Sequence, residues 1–243
     1  MKKMPAKGRT TKPSGMLAKL LGQAAGASHT GQTGPVITLA NMQAQYEEAV
    51  RMYNQADWPQ AEAQADALLA QPGLTLTFQV AALNLKATLA ARTHRLEQAV
   101  QLYRDILNRQ PGHADALSNQ GLALQKLKRY EEALACLVQA VRLNPGHAHS
   151  QLNLGLTYQS LGRLDEARAA YQRTLAIEPG HLQALFNIAK MLQDEFDFEG
   201  ASRAYQAVLD VDPRHADALA NLIFVQHYRY PPDEAAQQDL IRR

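Results

Sequence analysis

A step of 34 residues runs through this chain. Asn119, Asn153, Asn187 and Asn221 keep it, as do Pro111, Pro145, Pro179 and Pro213. So do Ala99, Ala133, Ala167 and Ala201, and His113, His147, His181 and His215. A strict period of this length predicts a stack of near-identical two-helix units, each burying its apolar face against its neighbours. Length then sets the number of units rather than the size of one central core. Whatever a residue does in one unit is also repeated, in a row, along one surface.

Composition agrees with close packing of small helices. The apolar share is 46%, aromatics are only 6%, and alanine is abundant; small side chains let helix axes approach. The net charge of +2 hides an asymmetry. Residues 1–46 contain no Asp or Glu and six cations, Lys2, Lys3, Lys7, Arg9, Lys12 and Lys19, leaving 19 basic against 23 acidic residues in the remainder. Residues 1–38, rich in Gly, Thr, Ser and Lys with no sustained period, read as a disordered basic tail. Within it, Met16, Leu17, Leu20 and Leu21 fit one short amphipathic helix. Two readings of the tail stand: a solubilising linker, or a segment making weak contact with an anionic membrane or a partner.

The only cysteine, Cys136, rules out a disulfide framework. No stretch approaches the ~20 apolar residues of a membrane span. Lys19 interrupts the one apolar segment near the start, so a signal peptide fits poorly and a cytoplasmic location is expected.

The array is expected over residues 39–230, with units at 42–75, 80–113, 114–147, 148–181 and 182–215 and a half unit at 216–230. Gly121 and Gly155 fall where first and second helices cross, with Ala133, Ala167 and Ala201 answering from the second helix. Pro145 and Pro179 end second helices, because proline lacks the N–H and clashes with the preceding turn. Ile223 stands where glycine or alanine is wanted, which marks the end of regular stacking. Residues 231–243 open with Pro231 and Pro232, offer Asp233 as an N-cap, and read as a capping or linker helix.

The unit 148–181 places Leu154, Gly155, Tyr158, Ala167, Tyr171 and Pro179 at the spacing of the tetratricopeptide repeat family, which the chain resembles over about 190 of its residues. The resemblance implies an all-α, right-handed superhelical solenoid whose first helices line a concave groove. It also implies a protein-interaction scaffold that binds an extended polypeptide in that groove. Asn119, Asn153, Asn187 and Asn221 lie on those first helices, and Gln125, Gln159 and Gln193 repeat about two turns further on.

An asparagine amide can accept from a peptide N–H and donate to a peptide C=O. Adjacent helices pack ~8–10 Å apart and a strand rises ~3.3 Å per residue, so one asparagine per unit meets roughly every third residue of a bound strand. Such a row reads backbone rather than sequence. The competing reading is that the asparagines brace neighbouring loops. Leu152, Phe186 and Phe224 are the candidates for apolar contacts in the groove.

The histidine row invites a metal reading, which distance excludes. One histidine per unit puts the outer pair ~30 Å apart at the helix spacing above, whereas zinc needs its nitrogens ~2 Å away. A turn role, opening each following helix, is expected instead, and neither a metal nor a cofactor is expected.

Chaperone-binding members of the family grip a carboxylate with a lysine and asparagine clamp. Lys126 and Asn119 match two of its positions, but Ser118 and Leu122 stand where lysine and asparagine belong. No P-loop, nucleophile elbow, zincin or dinucleotide-binding signature occurs, so no catalytic residues are expected. Nor is nucleic-acid binding, because the basic tail lacks interleaved aromatics. The stretch Asn221-Leu222-Ile223-Phe224, with His227-Tyr228 and Tyr230-Pro231, is similar to the junction in O-GlcNAc-transferase-like glycosyltransferases. That likeness implies an alternative: a substrate-recruiting arm of an enzyme whose catalytic region is absent from this chain.

Overall fold

The computed structural model describes residues 38–229. The tail over residues 1–37 and the C-terminal helix expected over 231–243 lie outside the described residues. Eleven helices make up the described chain: α1 (Leu39–Asn54), α2 (Trp58–Leu69), α3 (Leu76–Arg92), α4 (Leu96–Arg109), α5 (Ala114–Lys126), α6 (Tyr130–Leu143), α7 (Ala148–Ser160), α8 (Leu164–Ile177), α9 (Leu182–Asp194), α10 (Phe198–Val211) and α11 (Ala216–Arg229). The first ten pair as five helix-turn-helix hairpins, α11 follows as a half unit, and the helices divide into two compact units, α1–α6 and α7–α11.

The first unit has two core clusters. One gathers Tyr46, Leu68, Phe78, Leu85 and Leu89; the other gathers Val80, Tyr103, Ile106, Leu124 and Ala133. Helix α3 begins four residues before the repeat register predicts, because Phe78 finds a core to bury in. It is fully buried and meets Tyr46 edge-on at 6.4 Å. Ion pairs tie hairpin to hairpin here. Arg95 grips Glu62 with both guanidinium nitrogens at 2.9 and 2.7 Å, Lys86 pairs with Asp66, and Arg129 reaches Glu97 at 3.1 Å.

In the second unit, Leu152, Ala167, Tyr171, Ala184 and Met191 form one cluster, and Tyr205, Val208, Ala218, Leu222 and Val225 another. Arg168 pairs with Glu195 across hairpins. Ile223 is exposed, and no further described helix covers it.

The glycines sit where the period demands them. A Cβ on Gly155 would lie 2.5 Å from the Tyr171 ring, and one on Gly121 would lie 2.6 Å from Leu137 Cγ. Only glycine lets α7 and α8, or α5 and α6, close to that distance. Pro145 and Pro179 follow the ends of α6 and α8, as the register predicts. Between first and second helices, four turns 34 residues apart pass through the left-handed region, at His94, Lys128, Gly162 and Phe196, with φ of 61–74°.

Candidate functional site

The four ladder asparagines each lie five residues after the start of their helix, Asn119 on α5, Asn153 on α7, Asn187 on α9 and Asn221 on α11, and all four are half-buried. The repeated position arises because each of these helices opens on the same Pro-x-His turn.

The second unit shows what holds the row. The Tyr171 hydroxyl donates to Gln159 Oε1 at 2.7 Å, and 34 residues on the Tyr205 hydroxyl donates to Gln193 Oε1 at 2.7 Å. Each tyrosine comes from a second helix and reaches the glutamine of its own hairpin. On its other side lies the asparagine of the next hairpin, Asn187 beside Tyr171 and Asn221 beside Tyr205. Burial raises both phenols above the ordinary tyrosine value, and the neighbouring asparagine amides partly offset that rise by favouring the phenolate. The Asn187 amide is thus close enough to act on Tyr171, yet its buried Nδ2 completes no well-formed hydrogen bond.

This Gln–Tyr–Asn relay escaped the sequence reading, which placed Gln159 and Gln193 only by helix face. A signal for it exists. Tyr171 and Tyr205 keep the 34-residue step, while the corresponding residue of the preceding repeat, Leu137, has no hydroxyl. In the first unit, Gln125 is half-buried on α5.

The apolar candidates separate. Leu152 is only 4% exposed and belongs to the core, so it holds α7 in place rather than offering surface. Phe186 is half-buried, stacked on His215 at 5.1 Å and edge-on to Tyr205 at 5.8 Å. Phe224 is exposed and packs at 4.6 Å on Tyr228.

The histidine row is a set of helix starts. His113 Nδ1 accepts from the Ala116 N–H at 3.1 Å and His215 Nδ1 from the Ala218 N–H at 3.2 Å, each capping its helix. His147 and His181 hold the same N-cap position on α7 and α9. Burial pushes the His113 imidazole below its ordinary value, with the Asp115 charge opposing it. Among the described residues no group of three or more His, Cys, Asp or Glu is arranged to hold a metal ion.

Cys136 is half-buried and donates to Gln120 Oε1 at 3.3 Å; burial raises its thiol, which keeps it protonated and unreactive. Among the described residues no helix is long and apolar enough to cross a membrane.

The hairpins and the row upon them are those of a helix-turn-helix repeat array. The tetratricopeptide repeat family matches residues 112–179 and again residues 182–215. Tetratricopeptide repeats thus account for residues 112–179 and 182–215 of this chain.

Solved structures agree on the fold. A crystal structure of MamA is 22% identical, with a TM-score of 0.61 over 70% of this chain and 96% of that one. MamA 41-end from Desulfovibrio magneticus RS-1 is 19% identical, with a TM-score of 0.63 over 72% of this chain and 96% of that one. YrrB, described as a TPR protein with an unusual peptide-binding site, is 22% identical, with a TM-score of 0.59 over 73% of this chain and 89% of that one. No curated protein matches the sequence.

Proposed function

We propose that this chain is a non-enzymatic scaffold that holds an extended polypeptide along its asparagine-bearing helices. In the second unit Asn153, Asn187 and Asn221 meet the backbone of the bound strand, with Phe186 and Phe224 supplying apolar contact; in the first unit Asn119 and Gln125 occupy the equivalent positions. The observation that carries the reading is the asparagine row, one half-buried amide at the same position of each first helix. The Asn187 Nδ2 without a hydrogen bond adds to it. An unsatisfied buried donor costs ~1–3 kcal/mol, and turning that amide towards a peptide carbonyl recovers it. Because Gln159 and Gln193 spend an oxygen on tyrosine, their amide NH2 ends are the groups left to meet a strand. The peptide-binding site described for YrrB makes the same use of this fold a reasonable expectation.

Magnitude limits the ladder. Four hydrogen bonds at ~0.5–1.5 kcal/mol each contribute about 2–6 kcal/mol, and micromolar affinity needs about 8 kcal/mol. The aromatic contacts must therefore supply a comparable share. The test is affinity capture from a library of extended peptides, comparing the chain with an Asn119→Ala, Asn153→Ala, Asn187→Ala, Asn221→Ala variant whose fold is verified by circular dichroism. Peptides retained by the chain and lost by the folded variant support the reading; equal retention refutes it.

The alternative, an arm that recruits substrate for a protein glycosyltransferase, draws on residues 221–231, the Glu-, Ala- and Arg-rich stretch after them and the asparagine row. It is tested by whether the reading frame continues past Arg243 into a catalytic region.

A further inference from the structure

The turn between α9 and α10 carries a feature that peptide binding by the asparagine row does not use. Its sequence is Asp194-Glu195-Phe196-Asp197-Phe198-Glu199, alternating carboxylates with phenyl rings. Phe196 is 79% exposed and has a φ of +63°. A bulky side chain in the left-handed region is costly, and leaving a phenyl ring in water forfeits its burial as well. The equivalent turns carry His94, Lys128 and Gly162, so neither the backbone nor the core selects phenylalanine here.

The ring is also the outermost of a run. Phe196 meets Phe198 edge-on at 6.1 Å, Phe198 stacks on Tyr228 at 5.8 Å, and Tyr228, 56% exposed, packs against Phe224 at 4.6 Å. Three of the five phenylalanines of the protein thus gather in one surface patch. The carboxylates around it are only partly matched. Glu195 pairs with Arg168 and Glu199 with Arg203, and Asp197 caps α10 through the Gly200 N–H. Asp194 and Asp197 enter no ion pair among the described residues.

Aromatic faces rimmed by carboxylates suit a cationic, extended segment: ammonium and guanidinium groups are drawn to ring faces and to the acids at once. The protein itself supplies a cationic segment. Residues 1–37 hold Lys2, Lys3, Lys7, Arg9, Lys12 and Lys19 and no acidic residue. We propose that the acidic-aromatic patch of Phe196, Phe198, Phe224 and Tyr228 docks the basic N-terminal segment of a second copy of this chain, so that the protein associates with itself through charge and cation–π contact. This contact shares only Phe224 with the proposed strand-binding row, and the variants below leave Phe224 unchanged.

Sedimentation equilibrium of the full chain over a range of concentrations, at low and high salt, tests it with two variants. The first, Phe196→Gly with Asp194→Asn and Asp197→Asn, removes the patch. It keeps a capping residue at 197 and gives the left-handed position the residue that suits it, so its melting temperature should not fall. The second replaces Lys2, Lys3, Lys7, Arg9 and Lys12 with glutamine. Expected are concentration-dependent association that salt weakens, a loss of tenfold or more in self-affinity in each variant alone, and its return when the two are mixed, since each then supplies what the other lacks. A chain that stays monomeric throughout, or variants that associate as well as the original, would overturn the proposal. Unchanged capture of peptides on the asparagine row by both variants separates its failure from that of the binding reading.

Discussion

Tyr171 donates its hydroxyl proton to Gln159 Oε1 across 2.7 Å, joining a buried ring of α8 to the far end of α7. With Asn187 on the other side of the same hydroxyl, one tyrosine bridges the helix of its own hairpin and the first helix of the next. The bridge ties the position of the ladder asparagine to the packing of the preceding repeat.

Removing that hydroxyl should therefore cost stability without opening a large cavity. Tyr171→Phe is expected to destabilise the chain by about 1 kcal/mol, the usual net value of a buried hydrogen bond. Gln159→Leu should cost a similar amount, and the double variant less than the sum, because both changes delete one interaction. Urea denaturation of the four proteins in the cycle measures it; strict additivity would show that the two side chains are not coupled.

Gly155→Ala sets two effects of opposite sign against each other. Alanine gains ~1 kcal/mol of helix propensity over glycine, but its Cβ would lie 2.5 Å from the Tyr171 ring. Overpacking of that kind costs ~1–3 kcal/mol, so the clash wins and the melting temperature falls. The ring belongs to the relay, so the variant should also weaken peptide binding. A higher melting temperature would mean that α7 and α8 separate freely.

The His113 cap makes the first unit sensitive to acid. Its Nδ1 must be unprotonated to accept from Ala116, and burial holds the folded-state imidazole below the ordinary value of 6.5. The unfolded chain thus takes up the proton first. Stability is complete above about pH 6.5 and declines as pH falls from there through the lower folded-state value. His113→Asn keeps an N-cap acceptor that does not titrate. Denaturation midpoints followed between neutral and mildly acidic pH should fall for the original chain and fall less for the variant; parallel curves would exclude His113 as the source.

Much of this architecture was legible because the period itself encodes it. Gly121, Gly155 and the prolines after α6 and α8 stand where their roles require, since close crossing and helix termination are local demands that only certain residues meet. The histidines were legible as helix openers, though not as side-chain caps, because capping depends on the ring reaching three residues ahead. The relay was not legible. Tyr171 and Gln159 lie on opposite helices of a hairpin, and whether a phenol points at an amide is decided by packing, not by spacing. Leu152 shows the limit most plainly. Its helix face suggested a groove contact, and the second unit buries it in the core. Phe196 was invisible for a further reason: nothing in a repeat pattern marks a residue that violates both backbone preference and burial.

The central claim is that the asparagine row reads polypeptide backbone, and Asn153 gives the cleanest test, because the repeat before it has Leu137 where a bracing tyrosine would stand. The measurement is calorimetric titration of the chain and of Asn153→Ala with a captured peptide, in its native form and with single backbone amides N-methylated. The account predicts about a two- to tenfold loss of affinity for Asn153→Ala, the worth of one hydrogen bond. It also predicts a similar loss on methylating the amide that Asn153 meets, no further loss when both changes are combined, and no change in melting temperature. Equal affinity of the folded Asn153→Ala variant for the native peptide would contradict it.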